Sequence, residues 1–497
     1  MKQDFISLNK LKSGKYYEKL VMFLRSFMSV ILERVPKRII EKPLKGIEKI
    51  KNEFRSKIKT IPEAKDNYIG VFTDGSSTVS ERRGAGVAVI SAVSIRIQCE
   101  NNSFRVEEKL EIPPENGVVI LIPRMQLTAR ANTLMRAIEY LIAADAAKKG
   151  CDIIAMDGSY ITTLLAPYTA INSSYNELLA LLDKAFGGKK NATLVFIRFA
   201  QDMEEIVNKR MDDIFSYDDG NEILSNFLKN HYKIIDEILN KTESEVPEDL
   251  RIIYQNYITI FVEENFAIRA LIRLFRIAEE QNALLFWISK DSESRMLTRR
   301  YPLLSLANDL SVLDLVLENN QYVNVEELVT LPIVSLRRAS LDLNSIDELT
   351  EENVNKIMNQ IYPAFGRMYS VYAVTIKHAK QIYEKYNKYS AIYAKYRDFV
   401  IQITYPTQFF EEYTKRNGYK SADKVVEKLL GMLKTISPRG YPEPLVHAHF
   451  ATILSRDLAE KMANGLEYSL KMAGKDDKNL FLLANIIGDM GRKRIGI

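Results

Sequence analysis

Apolar residues recur along this chain with two periods, and the switch between them marks its elements. From about Tyr16 to Lys57 they return every three or four positions among lysines and arginines, which predicts basic amphipathic helices broken at Pro36 and Pro43. Pro62 ends that pattern. Tyr68 to Phe72 then reads as a strand running through Thr73 into Asp74-Gly75-Ser76-Ser77. On this reading the strand delivers Asp74 to its end, where Gly75 lets the backbone turn. An Asx-type turn closing a hairpin is the other reading of that aspartate. Two β-rich runs, Ala85 to Ser91 and Val93 to Glu100, sit close enough to form an antiparallel meander, and Arg105 to Ile112 and Val118 to Ile122 follow. Gln126 to Lys149 is helical, with Leu127, Ala131, Leu134, Ile138, Leu141 and Ile142 on one face and Gly150 closing it. Asp152 to Met156 is a short buried strand ending in Asp157-Gly158-Ser159.

The second half is mainly helical. A strand is expected at Ala192 to Phe199, then helices at Met203 to Phe215, Glu222 to Leu239 and Glu248 to Gln281. Ala283 to Ser289 returns to strand character and leads into Lys290-Asp291-Ser292. A helix at Glu351 to Gln360, strands at Met368 to Ile376 and Asp398 to Thr404, and a helix from Ser421 to Lys434 come next. Ser437 to Pro444 is a rigid proline-rich loop ahead of a helix from Leu445 to about Asn464. Meander, helix and a strand able to lie parallel to the first predict a layered α/β domain.

Composition narrows the class. The 497 residues are 46% hydrophobic and 27% charged, as in ordinary globular chains. Cys99 and Cys151, the two cysteines, exclude a disulfide scaffold and a cysteine-rich zinc site, and a reducing cytoplasm is the expected setting. No stretch reaches the roughly 18 apolar residues that span a bilayer, so no membrane role is expected. The net charge of +5 is unevenly placed: through Lys59 there are about sixteen Lys and Arg against about six Asp and Glu. Such an arm suits a polyanion, nucleic acid ahead of anionic lipid, or else is a solvated helix face.

Three acids fall within reach of one another in this layout. Asp74 and Asp157 each end a strand, and neighbouring strands lie about 4.8 Å apart. Glu139 lies on the intervening helix, turned partly off its apolar line, with Asp145 about two turns later as the competing helix acid. Adjacent carboxylates repel, so such a cluster persists only with bound cations or raised pKa values. Oxygen ligands suit Mg²⁺ or Mn²⁺, and two such ions can hold the attacking water and the leaving oxygen of a phosphodiester.

The pattern resembles the ribonuclease H-like nucleases. Thr73-Asp74-Gly75-Ser76, Glu139 and Asp157-Gly158-Ser159 match their acids in type and order. The segment Arg439-Gly440-Tyr441-Pro442-Glu443-Pro444-Leu445-Val446-His447-Ala448-His449 is similar to the Gly-Tyr-Pro…Pro-Leu…Ala-His signature of the NurA family. Ile288-Ser289-Lys290-Asp291-Ser292 resembles that family's strand-then-Lys-Asp-Ser motif.

NurA proteins are archaeal nucleases that process DNA ends. The resemblance implies a ribonuclease H-like mixed sheet flanked by helices, with a large helical insertion and basic N-terminal helices. The expected divisions are residues 1–62 for the basic region, 63–202 and 282–464 for the nuclease domain, 203–281 for the insertion and 465–497 for a tail helix. It further implies that Asp74, Glu139, Asp157 and His449 bind Mn²⁺ or Mg²⁺, as two ions, and that Tyr441 is the active-site tyrosine. His447 is a competing imidazole about 200° around a regular helix from His449. Homodimerisation and a hexameric HerA-type ATPase as partner are implied as well. Lys290 contacts DNA phosphate with Asp291 orienting it, or else Asp291 or Ser292 caps a helix. Tyr383, Tyr386, Tyr389, Tyr393 and Tyr396 recur at helical spacing, as a base-stacking surface or a packing stripe. Competing expectations are an Argonaute-like or ribonuclease H-like enzyme on RNA-containing duplexes, and a catalytically idle DNA-binding adaptor.

Overall fold

The centre of the molecule is a mixed sheet built from both ends of the chain. The computed structural model describes residues 37–63, 67–101, 103–164, 166, 178, 181, 189–242, 244, 246–290, 295, 297–298, 307–325, 385–386, 388–397, 399–475 and 477–489. In chain order the strands are β1 (Ile58–Thr60), β2 (Tyr68–Glu81), β3 (Gly86–Glu100), β4 (Ser103–Ile112), β5 (Val118–Leu121), β6 (Ile153–Asp157), β7 (Leu284–Ser289), β8 (Gln321–Val325), β9 (Tyr389–Tyr396) and β10 (Phe399–Pro406). Across the sheet they run β1-β8-β9-β10-β7-β6-β2-β3-β4, with β5 pairing β3. Adjacent β2, β6 and β7 are parallel and the other pairs antiparallel. The helices are α1 (Lys37–Phe54), α2 (Leu127–Ala147), α3 (Lys189–Ile214), α4 (Gly220–Thr242), α5 (Arg251–Glu280), α6 (Asp309–Val316), α7 (Thr407–Arg416), α8 (Ala422–Thr435), α9 (Glu443–Thr452), α10 (Arg456–Ala473) and α11 (Lys478–Ile486). The chain is thus a mixed α/β protein with a large central sheet and many helices. No helix among the described residues is long and apolar enough to cross a membrane.

The strands at the centre of the sheet are apolar on both faces, as burial under helices on both sides requires. Ile153 to Met156, Leu284 to Ile288 and nearly all of β3 up to Ile97 are inaccessible to solvent. Trp287 lies in this core, 2% exposed, against Tyr160. Helix α2 covers β2 and β3, and α5 packs outside it. The α2–α5 contact is fixed by a buried ion pair in which Arg130 Nε and Nη2 meet Glu263 at 2.9 and 2.8 Å. Arg130 Nη1 also donates to the carbonyl of Pro123 at 2.8 Å, so the guanidinium is fully engaged inside the protein.

Several expectations change. Asp74 does not end its strand. β2 continues to Glu81 because β3, a single strand rather than two runs, pairs with it as far as Gly86. What ends near Asp74 is the parallel pairing to β6, at Thr73–Met156. Ala192 to Phe199 is helical, the start of α3. A short apolar run carries no period of its own, and here it joins the helical pattern that follows it. Helix α1 runs through Pro43 without a break. The helix expected from Leu445 to Asn464 is two, α9 and α10, with Ser455 capping the second through Leu458 N at 3.2 Å. Tyr389, Tyr393 and Tyr396 lie in strand β9, so the stripe at helical spacing is not a helix face. Tyr393 OH donates to buried Asp309, and Tyr396 OH to the carbonyl of Leu430. Residues 1–36, the helix at Glu351 to Gln360, the strand at Met368 to Ile376, Tyr383 and Asp291 lie outside the described residues.

Candidate functional site

Successive residues of β2 face opposite sides of the sheet, and this alternation builds the site. Asp74 points toward α9, where His449 Nδ1 lies 2.9 Å from its Oδ2. Its other oxygen accepts from Gly75 N at 2.8 Å. Gly75 faces α2 instead: a Cβ there would stand 2.6 Å from Glu139 Oε1 and 2.8 Å from Glu139 Cγ. The Glu139 carboxylate therefore occupies the space left by the missing side chain, against the backbone of the strand that carries Asp74. Asp157, last residue of β6, comes next in register beside Asp74. Its Oδ1 accepts a 2.5 Å hydrogen bond from Tyr441 OH.

Tyr441 reaches that position from the loop between α8 and α9. Gly440, at φ +93°, bends this loop against β9, and a Cβ at 440 would lie 2.6 Å from the Tyr396 carbonyl oxygen. Gly440→Ala is expected to destabilise the protein by about 1–3 kcal/mol, read as a lower denaturant midpoint, because both the left-handed backbone and the close approach exclude a side chain. Lys290, just beyond β7, has its Nζ 5.3 Å from the centre of the Tyr441 ring, a cation–π distance.

Burial and mutual repulsion dominate the electrostatics. Asp74 is 4% and Glu139 8% exposed. Burial, then the charge of Asp157, pushes the Asp74 carboxyl up to about 6, while His449 and the Gly75 backbone pull it down. Glu139 is raised well above the ordinary range, by burial first and then by Asp74 and Asp157. Protons on these groups relieve the repulsion, and a cation would relieve it further. Carboxylate oxygens with one imidazole are ligands of the kind Mn²⁺ and Mg²⁺ accept. Among the described residues, however, no three such side chains already converge on one point at ligand distance. Asp74 and Asp157 spend oxygens on His449, Gly75 and Tyr441 instead.

The five residues singled out in the sequence are thus brought together: Asp74, Glu139, Asp157, Tyr441 and His449. Asp145 is elsewhere, bonded to Arg273 Nη2 at 2.9 Å and to Gly220 N at 2.6 Å. His447 and His449 are both exposed, and it is His449 whose Nδ1 meets Asp74. Lys290 borders the cluster through Tyr441. The sequence reading missed two features. Gly75, expected to turn the backbone, lies instead inside a continuous strand and leaves room for Glu139. Arg136, one helical turn before Glu139, was passed over, although its i,i+3 spacing places it on the same face of α2.

A central mixed sheet with an acid cluster at the end of its parallel pairing defines the class: an α/β protein whose buried carboxylates are short of positive charge. Residues 71–451 match the model of the NurA domain, and the chain belongs to the NurA family. No curated protein matches it. It shares its fold with a crystal structure of NurA at 14% identity, covering 89% of this chain and 98% of that one with a TM-score of 0.53. A crystal structure of NurA with manganese is similar at 15% identity, covering 88% and 97%, with a TM-score of 0.52. The NurA nuclease from Sulfolobus solfataricus is also similar, at 16% identity over 93% of this chain and 98% of that one, with a TM-score of 0.44.

Proposed function

We propose that this protein is a metal-dependent DNA nuclease that hydrolyses phosphodiester bonds at DNA ends. The observation that carries the reading is the meeting of Asp74, Glu139, Asp157, Tyr441 and His449 at one place from four separate segments, with two of the carboxyls held above their ordinary range by burial and by one another. Family membership and the crystallised relative with manganese support it. So does the order of the acids. Counting β2 as the first strand and leaving the short β5 aside, they stand on the first strand, the first helix and the fourth strand, as the ribonuclease H-like resemblance requires.

Asp74, Glu139, Asp157 and His449 are the residues that would hold Mn²⁺ or Mg²⁺, two ions in the expected form, after turning from the hydrogen bonds described above. When bound, the ions supply Lewis acidity toward the phosphate and lower the pKa of water. His449 would ligate as the neutral imidazole. Tyr441 OH stands at the Asp157 carboxylate, from which it can donate instead to a phosphate oxygen. Lys290 contributes a positive charge beside that phenol. Homodimerisation, a HerA-type ATPase and work in double-strand-break repair belong to the same reading and rest on the family resemblance.

The test is release of labelled nucleotides from end-labelled duplex and single-stranded DNA by the purified protein with Mn²⁺. Chelation with EDTA is expected to stop release, and added Mn²⁺ to restore it. Absence of release with Mn²⁺ and with Mg²⁺ would overturn the reading. Faster cleavage of an RNA–DNA hybrid than of DNA would favour the guided-strand alternative.

A further inference from the structure

Helix α9 leaves a phenyl ring and an isoleucine outside the fold, and both stand beside His449. Pro444, Leu445, Ala448 and Thr452 are buried, at helical spacing, on the face that α9 lays against β2 and β3. His449 sits about a quarter turn around the helix from that face. Its Nδ1 therefore comes within 2.9 Å of Asp74 while 47% of the side chain stays accessible. Phe450, next in the chain, is on the side of α9 away from the sheet. At 69% it is the most exposed large apolar side chain among the described residues. Its ring centre is 6.1 Å from that of His449, with the planes inclined at 62°. Ile453, at the C-terminal end of the helix, comes four positions after His449 and three after Phe450, so it borders both, and it is 57% exposed.

A single exposed apolar residue is ordinary on a protein surface, and it is the position of this pair that sets it apart. Asp74 and Glu139 are buried, whereas His449 is open to solvent. A strand that brings a phosphate to the cluster therefore lies along the accessible side of His449, where Phe450 and Ile453 continue the same surface. The parts of a nucleotide attached to that phosphate are a sugar and a flat base. A paired base has its edge engaged by its partner and its faces covered by its neighbours, whereas an unpaired one offers a free π-face that a phenyl ring can cover. The helix that carries the ring is well anchored. Pro444 lies in its first turn, its inner face is buried, and Thr452 Oγ1 donates to the His449 carbonyl at 3.0 Å.

We propose that Phe450, with Ile453 beside it, is a stacking platform for an unpaired base of the strand whose phosphate enters the acid cluster, so that the site selects single-stranded or frayed DNA ends over paired ones. The proposal deepens the nuclease reading and rests on it for the identity of the ligand. Stacking tolerates any base, because every base has a π-face, so the platform selects the unpaired state and not a sequence. It also adds affinity that does not depend on charge, at a place where the phosphate itself meets carboxylates.

The test compares two fluorescein-labelled single strands on the full chain by anisotropy, with Ca²⁺ in place of Mn²⁺. One is a short run of thymidines, and the other has the same backbone with every base replaced by an abasic tetrahydrofuran. Phe450→Ala, an exposed position where folding is not at stake, is expected to weaken binding of the thymidine strand about five- to thirtyfold and to leave the abasic strand unchanged. Phe450→Trp is expected to bind both strands as the wild type does. Ile453→Ser is expected to lose about two- to fivefold, again on the thymidine strand alone. Equal losses on the two strands, or no loss on the thymidine strand, overturn the proposal. So does a Phe450→Ala protein that sediments as a smaller species with its base dependence intact, since a second copy of the chain would then cover this face. With Mn²⁺ and substrate well below KM, the ratio of nucleotide release from single strands to release from blunt duplex is expected to fall at least about fivefold in Phe450→Ala. An unchanged ratio in an active enzyme overturns the platform and leaves the nuclease reading standing. Base-dependent binding lost in Phe450→Ala, in a protein whose wild type hydrolyses nothing, overturns the nuclease reading and leaves the platform standing.

Discussion

Asp74→Asn is expected to abolish hydrolysis and, in the same molecule, to raise the stability of the metal-free protein. The two effects share one cause. Asp74 is buried beside Asp157, and its carboxyl titrates near 6 in the folded chain against 3.8 for the free group. A carboxylate whose folded pKa is raised binds more protons in the native than in the unfolded state. Its unfavourable contribution is therefore absent below about pH 4, grows as the pH rises through the interval between the two values, and is complete above it. At pH 7.5 the penalty is on the order of 1–3 kcal/mol.

Asparagine keeps the local hydrogen bonds. Its oxygen can accept from Gly75 N, and its amide can face His449 Nδ1, where the carboxylate oxygens now lie. The charge is lost, and with it the repulsion from Asp157 and Glu139. The expected melting curves in EDTA place the variant above wild type at pH 7.5, with the gap closing toward pH 4. Nucleotide release with Mn²⁺ is expected to fall by about 10³-fold or more, as for removal of a group on which a metal-assisted reaction depends. A variant that is stabilised and still active would separate the acid cluster from catalysis. One that is destabilised at neutral pH would mean that Asp74 is held by its neighbours more than it is repelled.

How much of this was legible in the sequence follows from the range of each interaction. The apolar period marked β6, β7, α2, α4 and α5 to within a few residues, because a strand or helix buried on a known face carries its rhythm locally. The acids stood out by their order along the chain, although of the three only Asp157 ends its element: Asp74 lies inside β2 and Glu139 inside α2. What the sequence did not yield depends on partners distant in the chain. β2 extends past Asp74 because β3 continues to pair with it, and β3 is one strand because β4 and β5 also pair along it. Nothing within five residues of Asp74 encodes that continuation. The tyrosines of β9 showed a spacing that also suits a helix. Their place in a strand is set by pairing with β10 and β8. Glu264 lies 128 residues from Arg136, and the contact exists only because α5 is laid along α2. A Glu-Glu pair in a long apolar helix gives no local sign of which cations it will meet.

Gly75→Ala is expected to leave the fold intact and remove most of the activity. Stability first: Gly75 sits in a paired strand and needs no positive φ, so alanine loses less conformational entropy on folding and would by itself stabilise by about 0.4–1 kcal/mol. Against this stands contact, since the new Cβ would lie 2.6 Å from Glu139 Oε1, 2.8 Å from its Cγ and 3.0 Å from its Cδ. All three are side-chain atoms of one flexible residue, and Glu139 can rotate away without moving the backbone of either element. The clash is therefore resolved cheaply in energy, and the melting temperature is expected to stay close to that of wild type. The resolution is costly for the site, because what moves is the carboxylate itself. Glu139 leaves the strand backbone beside Asp74, and a displacement on the order of 1 Å in a positioned group can cost about 10²-fold in rate. Nucleotide release under saturating Mn²⁺ is expected to drop by about that factor, with the midpoint of denaturation unchanged. Gly70→Ala is the control: it lies in the same strand, where a Cβ would stand 2.6 Å from the Phe72 ring in the core, and it is expected to lower stability while sparing the folded fraction's activity. If Gly75→Ala hydrolyses DNA at the wild-type rate, Glu139 has no fixed place in the reaction, and the helix acid must be sought elsewhere on α2.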